Sequence, residues 1–510
     1  MKQYAVNKWL IVLTVMLPTF IEIMDTSVVN VTLDHMRGTM SAGIDESTWA
    51  ITSYIVSNAI IMPMSDWLSR MFGRKRYLMF SVALFTASSV LCGLSWSLNS
   101  LIFFRVLQGI GGGALVPLSQ AILFETFSED ERGKAMGAFG IGTTVAPALG
   151  LPLGGWIADN WSWRWIFYIN LPIGIISIFL IMANIRDPHY HKGEKPKIDF
   201  LGLSLLIIGL AALQIVLDKG QREDWFASNF ILILSIITVV ALVYLIFAEL
   251  STDSPIIDLK IFRNISFSSG TIVTFIIFFS MMSIFVLTPV YVQSLLGYNA
   301  TLAGLVMMPQ GLCMMVSLGF AGVLGSKLNQ KVVLVTGIIL MAFSAGLMAQ
   351  FNLATDFRTV TYTMCLLGVS TGFIFVPLSI LSFTGVSNHK MGNATALWNL
   401  LRNIGGSVGI AIIMTLITRG GQIHQNYLVD HMTPLDKGYQ LTMERLTPLL
   451  DLKGFAGGAE GTVYGQLVRQ ATMISFVDVY HLLVFMMLAC IPLVFIMKTG
   501  NGNGQKPSVH

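Results

Sequence analysis

Long apolar stretches, each about 18 to 26 residues, recur from one end of this chain to the other, and they constrain its fold more than any other feature. About 20 residues in a helix cross the hydrocarbon of a bilayer, and in lipid only helices and closed barrels satisfy every backbone amide. Fourteen such runs begin near Trp9, Thr48, Tyr77, Ser100, Ala135, Trp163, Phe200, Asn229, Ser268, Thr301, Val332, Thr359, Gly392 and Phe476. The expectation is an all-α membrane protein of fourteen transmembrane helices, with spacers too short for a soluble domain. Only 11% of the 510 residues are charged, against about 25% in a soluble domain, and the mean hydropathy is +0.71. An ordinary globular protein is excluded.

The stretch 418–475 is polar, interrupted by Gly454, Gly457 and Gly458, and too weakly apolar to span, so it reads as a long external loop. Lys and Arg resist translocation. With both termini inside, about nineteen of them fall in inner loops, including Arg70, Arg74, Lys75, Arg76, Arg132, Lys134, Arg186, Lys192, Lys195 and Lys197, against about ten outside. The first run lacks a small-residue cleavage site and carries Glu22 and Asp25, unlike a removable signal peptide. Cys92, Cys313, Cys365 and Cys490 sit in or beside apolar runs and read as small packing residues. The net charge of +4 reflects membrane topology and implies no nucleic-acid partner.

Gly112-Gly113-Ala114-Leu115-Val116-Pro117-Leu118-Ser119 in the fourth run has a counterpart 260 residues later, Gly372-Phe373-Ile374-Phe375-Val376-Pro377-Leu378-Ser379 in the twelfth. A parallel repeat of six-helix halves builds a site at the midplane between two rocking bundles. The expected division is a first half over 1–185, an inserted helix pair with flanking loops over 186–266, a second half over 267–498 that includes the external loop 418–475, and an inner tail over 499–510.

Ionisable groups inside the hydrocarbon cost several kcal/mol and need partners or a wet cavity. Glu22 and Asp25 lie one turn apart on one face of the first helix. Arg105 of the fourth, at similar depth, is the candidate counter-ion of Asp25. A carboxyl that exchanges one charged neighbour for another changes its proton affinity, which is how a site loads and releases protons; a permanent structural ion pair has the same sequence signature. Glu22 suits a cationic substrate, a proton, or an interior hydrogen bond. Arg402, beside Asn399 and Asn403 in the thirteenth run, suits an anionic group or a lock between the halves.

One charge moved through about 100 mV is worth about 2.3 kcal/mol, and tenfold in concentration about 1.4 kcal/mol; one proton therefore sustains roughly a fifty-fold gradient. No cofactor is expected, and there is no G-x-x-x-x-G-K-[ST] phosphate loop. Nothing gathers a catalytic or metal cluster: His35, His189, His191, His389, His424, His431, His481 and His510 lie chiefly in loops or at the edges of runs. A channel remains the rival with high, protonation-independent flux. The 32 Phe and 28 Met suit a promiscuous apolar site, as they suit lipid-facing helices.

Several motifs resemble those of the major facilitator superfamily, specifically its fourteen-span drug:proton antiporter branch and most closely the EmrB-type multidrug exporters. Met24-Asp25-Thr26-Ser27-Val28-Val29-Asn30-Val31 resembles L-D-x-T-I-V-N-V of the first span, and Arg105-Val106-Leu107-Gln108-Gly109-Ile110-Gly111 resembles R-x-x-Q-G-x-G of the fourth. Gly142 to Trp156, with Gly142, Pro147, Gly150, Gly154 and Gly155 in place and Ala146 where Gly is usual, looks like the antiporter motif of the fifth. Trp163 to Gly174, Leu217-Asp218-Lys219-Gly220, Asp224-Trp225-Phe226 and Arg402 to Gly409 extend the likeness over nearly the whole chain. One motif departs: where the family reads G-x-L-A-D-R-x-G-R-[RK], Asp66 stands at the first Gly and Arg70 at the acidic position, while Gly73, Arg74 and Lys75 fit the turn.

The resemblance implies a proton-coupled efflux antiporter of the inner membrane, with both termini cytoplasmic, that exports hydrophobic or amphipathic drugs by alternating access. Asp25, Arg105 and Glu22 would couple protons, and Glu22, Gln108, Asn399, Arg402 and Asn403 would line the cavity. It also implies an EmrA-type periplasmic adaptor and a TolC-type outer-membrane channel as partners. Leu441, Met443, Leu446, Leu449 and Leu450 form an amphipathic stretch in the long loop suited to that adaptor, or to covering the pump's mouth. Export of one metabolite, such as a fatty acid or siderophore, is the alternative.

Overall fold

The computed structural model describes residues 7–187, 199–252, 255–324, 328–430, 432–433, 435–452 and 458–498. Among them the chain forms helices and no strands. The helices are α1 (Lys8–Met40), α2 (Trp49–Phe72), α3 (Arg74–Gly93), α4 (Leu98–Thr126), α5 (Glu129–Asn160), α6 (Trp165–Asn184), α7 (Phe200–Lys219) and α8 (Asn229–Ser251). They continue with α9 (Ile265–Leu295), α10 (Ala300–Leu324), α11 (Gln330–Met348), α12 (Phe357–Ser382), α13 (Met391–Val429), α14 (Lys437–Leu452) and α15 (Gly458–Ile496).

Side-chain caps start several of these helices as the sequence dictates: Asn7 accepts the Trp9 amide, Ser97 and Ser100 form a capping box, and Asn264 accepts the Ser266 and Phe267 amides. Prolines sit inside α1, α2, α5, α9, α10 and α12, where lipid and neighbouring helices tolerate them. Pro289 precedes a single wide turn, Tyr291–Leu295.

Thirteen helices among the described residues are long and apolar enough to cross a membrane. The remaining expected span, α2, has 24 residues but carries Thr52, Ser53, Ser57, Asn58, Ser65 and Asp66, all buried within the bundle. Its polarity is turned inward, so it needs less lipid-facing apolar surface. The protein is a multi-pass membrane protein.

In the first half α1 packs along α5 and α6, and α4 along α2 and α3. In the second, α13 packs along α9 and α15, and α12 along α10 and α11. α7 and α8 pair with one another. The helix ends and turns at one end carry Arg70, Arg74, Lys75, Arg132 and Lys390, and this basic end is where the halves close on each other. There Phe124 meets Phe383 with ring centroids 4.7 Å apart, and Phe383 meets Trp398 at 5.7 Å. A Cβ on Gly137 of α5 would stand 3.2 Å from Gly322 Cα of α10, so these backbones touch across the interface.

The stretch 418–475, read as a loop, is largely helical: α13 runs on to Val429, α14 follows, and α15 begins at Gly458. His424 Nε2 lies 2.7 Å from Asp478 Oδ2 and Gln425 donates to Tyr464 Oη at 2.7 Å, tying the extensions of α13 and α15 together. Weak hydropathy rules out a lipid span, not a helix, whose hydrogen bonds are local. Gly454 and Gly457, the side chains of Leu449 and Leu450, and Lys192, Lys195 and Lys197 lie outside the described residues.

Candidate functional site: a buried carboxylate relay between the halves

Asp25 of α1 lies in the interior of the first half, 2% exposed. Its Oδ2 accepts from Arg105 Nη1 at 2.5 Å, and its Oδ1 accepts from Gln108 Nε2 at 2.8 Å and Asn170 Nδ2 at 3.0 Å. Arg105 Nε donates to the Ala50 carbonyl at 3.0 Å, and Nη1 also reaches Gln108 Oε1 at 2.8 Å. The guanidinium carbon stands 4.2 Å from the centre of the Tyr54 ring. Four helices of one half, α1, α2, α4 and α6, thus close around a single ion pair. A buried ion pair is tolerable only when its remaining donors and acceptors are satisfied, which is what Gln108, Asn170 and the Ala50 carbonyl do.

Glu22 sits one turn from Asp25 in a different setting. Its Oε1 accepts from Asn58 Nδ2 at 3.1 Å and Tyr54 Oη at 3.4 Å, and the cation acting on it from the second half is Arg402. Tyr54 therefore joins the two carboxylates, with Arg105 on its ring and Glu22 on its hydroxyl. Gly112 leaves room for this junction, since a Cβ there would stand 2.8 Å from Tyr54 Oη and 3.4 Å from Glu22 Cγ.

The expected cavity residues divide. Gln108 is fully buried and belongs to the Asp25 cluster; one helical turn from Arg105, its amide faces the same carboxylate. Asn399 is also fully buried, donating to Gln120 Oε1 of the first half at 2.6 Å and to the Thr395 carbonyl at 2.8 Å. Asn403 is exposed and its Nδ2 lies 3.8 Å from Met62 Sδ of the first half. The Arg402 guanidinium stands 5.1 Å from the Phe278 ring and 5.9 Å from the Trp398 ring, and its Nε has no hydrogen-bond partner. Asn58, Tyr54, Asn170 and Gln120 escaped the sequence reading. Asn58 and Tyr54 stand one turn apart on α2, a helix rich in buried polar side chains, and Asn170 is an amide near the start of an apolar run, signals that exist but name no partner.

The antiporter motif is a packing surface. Gly150 and Gly154 bring α5 against α1: a Cβ on Gly154 would stand 2.7 Å from Val28 Cγ1, and one on Gly150 3.2 Å from the Met24 carbonyl. Gly142 is in close contact with Met16 in the same way, Ala146 is fully buried, and Pro147 and Gly155 are half-buried. This interface fixes the helix that carries Glu22 and Asp25.

At the basic end Gly73 takes φ +86°, a conformation glycine adopts without strain, to turn α2 into α3. The amide of Lys75 donates to Asp187 Oδ1 at 2.8 Å, and Arg74 pairs with Glu125. The two residues exchanged in the departing motif face each other: Arg70 Nε lies 3.2 Å from Asp66 Oδ2. Asp66 also abuts Gly392 at the start of α13. A carboxylate therefore still stands at the junction of the halves, one turn earlier than the family pattern places it.

Residues 15–410 match the family model of the Major Facilitator Superfamily. The chain is 36% identical over 426 residues to the multidrug export protein EmrB of Haemophilus influenzae, covering 83% of each. It is 32% identical over 489 residues to the fatty acid resistance protein FarB of Neisseria gonorrhoeae, covering 96% of each. The human organic anion transporter MFSD10 shares the fold with a TM-score of 0.61 at 13% identity, over 94% of this chain and 99% of that one.

Proposed function

The chain belongs to the major facilitator superfamily, within its EmrB-type branch, and we propose that it is a proton-coupled multidrug efflux antiporter of the inner membrane, with its basic end and both termini in the cytoplasm. Membership makes it a transporter and not an enzyme, and its relatives speak for drug export. The observation that supports proton coupling is the linkage from Arg105 and Asp25 through Tyr54 to Glu22, on which the charge of Arg402 acts from the other half. Protonation of one carboxyl alters what Tyr54, Arg105 and Arg402 can pair with, and so biases the contact between the halves.

In the cycle, the halves part at the basic end, an amphipathic drug enters beside Glu22 and Arg402, and a proton leaves for the cytoplasm. Rocking then reproduces the closure seen here, with Phe124, Phe383, Gln120 and Asn399 shut. A proton from the far side displaces the drug and resets the pump. The proton gradient supplies the work, with no cofactor.

An EmrA-type periplasmic adaptor and a TolC-type outer-membrane channel complete the pathway in this reading. The helical extensions beyond the spans, with Leu441 and the neighbouring turn residue Leu435 exposed, offer the surface on which the adaptor would dock. A second reading, export of a fatty acid or a siderophore-like metabolite, is favoured by the similarity to FarB and by the unpartnered Nε of Arg402, which suits a carboxylate. Competition among chemically dissimilar dyes separates the two.

The deciding experiment is dye transport in proteoliposomes under an imposed pH gradient. The unaltered protein should move dye against its gradient and Asp25→Asn should not. Transport by Asp25→Asn at the unaltered rate would overturn the coupling assignment.

A further inference from the structure

The helix pair α7 and α8 lies outside both six-helix halves, and neither the carboxylate relay nor the interface at the basic end uses it. α7 nevertheless touches both halves on one flank. Toward the first half, Asp218 accepts the Thr52 hydroxyl, and Lys219 Nζ lies 3.3 Å from Thr48 Oγ1 and 4.8 Å from the centre of the Trp49 ring, all at the start of α2. Toward the second half, Gln214 donates to Ser407 Oγ at 2.9 Å. Just past the end of α7, Trp225 Nε1 donates to Thr415 Oγ1 at 2.9 Å and Gln221 Nε2 to Thr418 Oγ1 at 3.3 Å, all on α13.

α2 and α13 are the flanking helices of the two halves here, and they meet directly nearer the basic end, where Asp66 abuts Gly392 and Asn403 faces Met62. Ser407, Thr415 and Thr418 lie farther along α13, beginning about 20 Å beyond Gly392 by helical rise. The contacts thus change along the flank: the two helices touch at one end, and α7 joins them toward the other. α8 seats α7 from the lipid side, with Gly209 admitting Leu242 so closely that a Cβ would stand 2.7 Å from its Cδ2. The opposite face of α8, with Ile233, Ile236, Val240 and Phe247, is exposed and apolar, as a lipid-facing surface must be.

We propose that the inserted pair is a strap that seals the flank between the halves, riding with α2 and sliding along α13, so that cargo leaves the cavity lengthwise into the aqueous compartment and not sideways into the bilayer. The two attachments differ in kind. Those on α2 use the acidic and basic side chains of Asp218 and Lys219, and hydrogen bonds with a charged partner are roughly twice as strong as neutral ones. The three named above on α13 are neutral, and the Arg419 and Asp224 side chains beside them, 3.9 Å apart, form an exposed pair that water and salt weaken. When the halves rock, the neutral set gives way first. A cargo that dissolves in lipid needs such a seal, because an open flank would return it to the membrane it was taken from.

This rests on the rocking of the two halves and not on which ion drives them. The test uses the full-length protein with its four cysteines replaced by alanine and cysteine pairs introduced as Gln214→Cys with Ser407→Cys, Gln221→Cys with Thr418→Cys, and Thr52→Cys with Asp218→Cys. A short, reducible bifunctional thiol reagent joins each pair. Either link to α13 should lower dye efflux about tenfold by blocking a conformational step, reversibly on reduction, while the link to α2 leaves the rate unchanged. Full linkage to α13 without loss of transport, or equal arrest by all three links, would overturn the strap. Linkage yield is a second readout that needs no transport: dye binding should change the yields on the α13 side and leave the α2 yield constant, and constant yields on both sides would refute sliding. Absence of efflux from the reduced proteins would instead count against the efflux reading itself.

Discussion

Asn399 of the second half donates a hydrogen bond of 2.6 Å to Gln120 of the first, with both side chains fully out of solvent. The bond lies among the aromatic contacts that close the basic end, and it is lost whenever that end opens.

The first prediction concerns this bond. Asn399→Ala leaves the Gln120 amide buried without its partner, a cost of about 1 to 3 kcal/mol in the closed state. The population open at the basic end should rise about fivefold or more, read as faster alkylation of a cysteine placed at Phe383. An unchanged alkylation rate would mean that the bond does not hold the gate.

Removing one partner of a buried pair strands the other charge, at a cost of about 3 to 5 kcal/mol. Asp25→Asn should therefore lower the melting temperature of the purified protein, and Asp25→Asn with Arg105→Gln should recover much of it. Neither variant should transport dye against its gradient. Recovery of transport in the double variant would reduce the pair to a structural role.

Glu22→Gln keeps the shape of the side chain and an oxygen for Tyr54 and Asn58, but removes the ionisable carboxyl. Efflux of cationic dyes should fall about tenfold or more, the usual scale for loss of one desolvated charge partner. Neutral dyes should be exported at the original rate if Glu22 only recognises cargo. An equal loss for both would make it a proton carrier.

Gly154→Ala inserts a methyl group where Val28 already stands, 2.7 Å from the new carbon at Cγ1 and 3.2 Å at Cα. Overpacking of this kind costs about 1 to 3 kcal/mol, so melting should fall by several degrees and efflux with it, because α1 carries both carboxylates. Gly304→Ala is the control: nothing lies within 4 Å of its Cβ, and the change should be neutral or slightly stabilising. Equal behaviour of the two would show that α1 and α5 can part without consequence.

The sequence by itself determined the helices. Their hydrogen bonds are local and a run of apolar residues meets lipid wherever it lies, so span positions and the inserted pair are legible from residues near each other in the chain. The Asp25 and Arg105 pairing was legible as well, because two lone charges at matching depth in lipid have few other partners.

Tertiary structure decided what the remaining polar side chains do. Gln108 turned to Asp25, Asn170 reached the same carboxylate from 145 residues away, and Asn399 met Gln120 across the interface. The stretch 418–475 became helix where hydropathy saw only a gap, and α7 came to rest against both halves. Each outcome depends on the rotation and depth of one helix against another, which the packing of the whole bundle sets and no short stretch of sequence encodes.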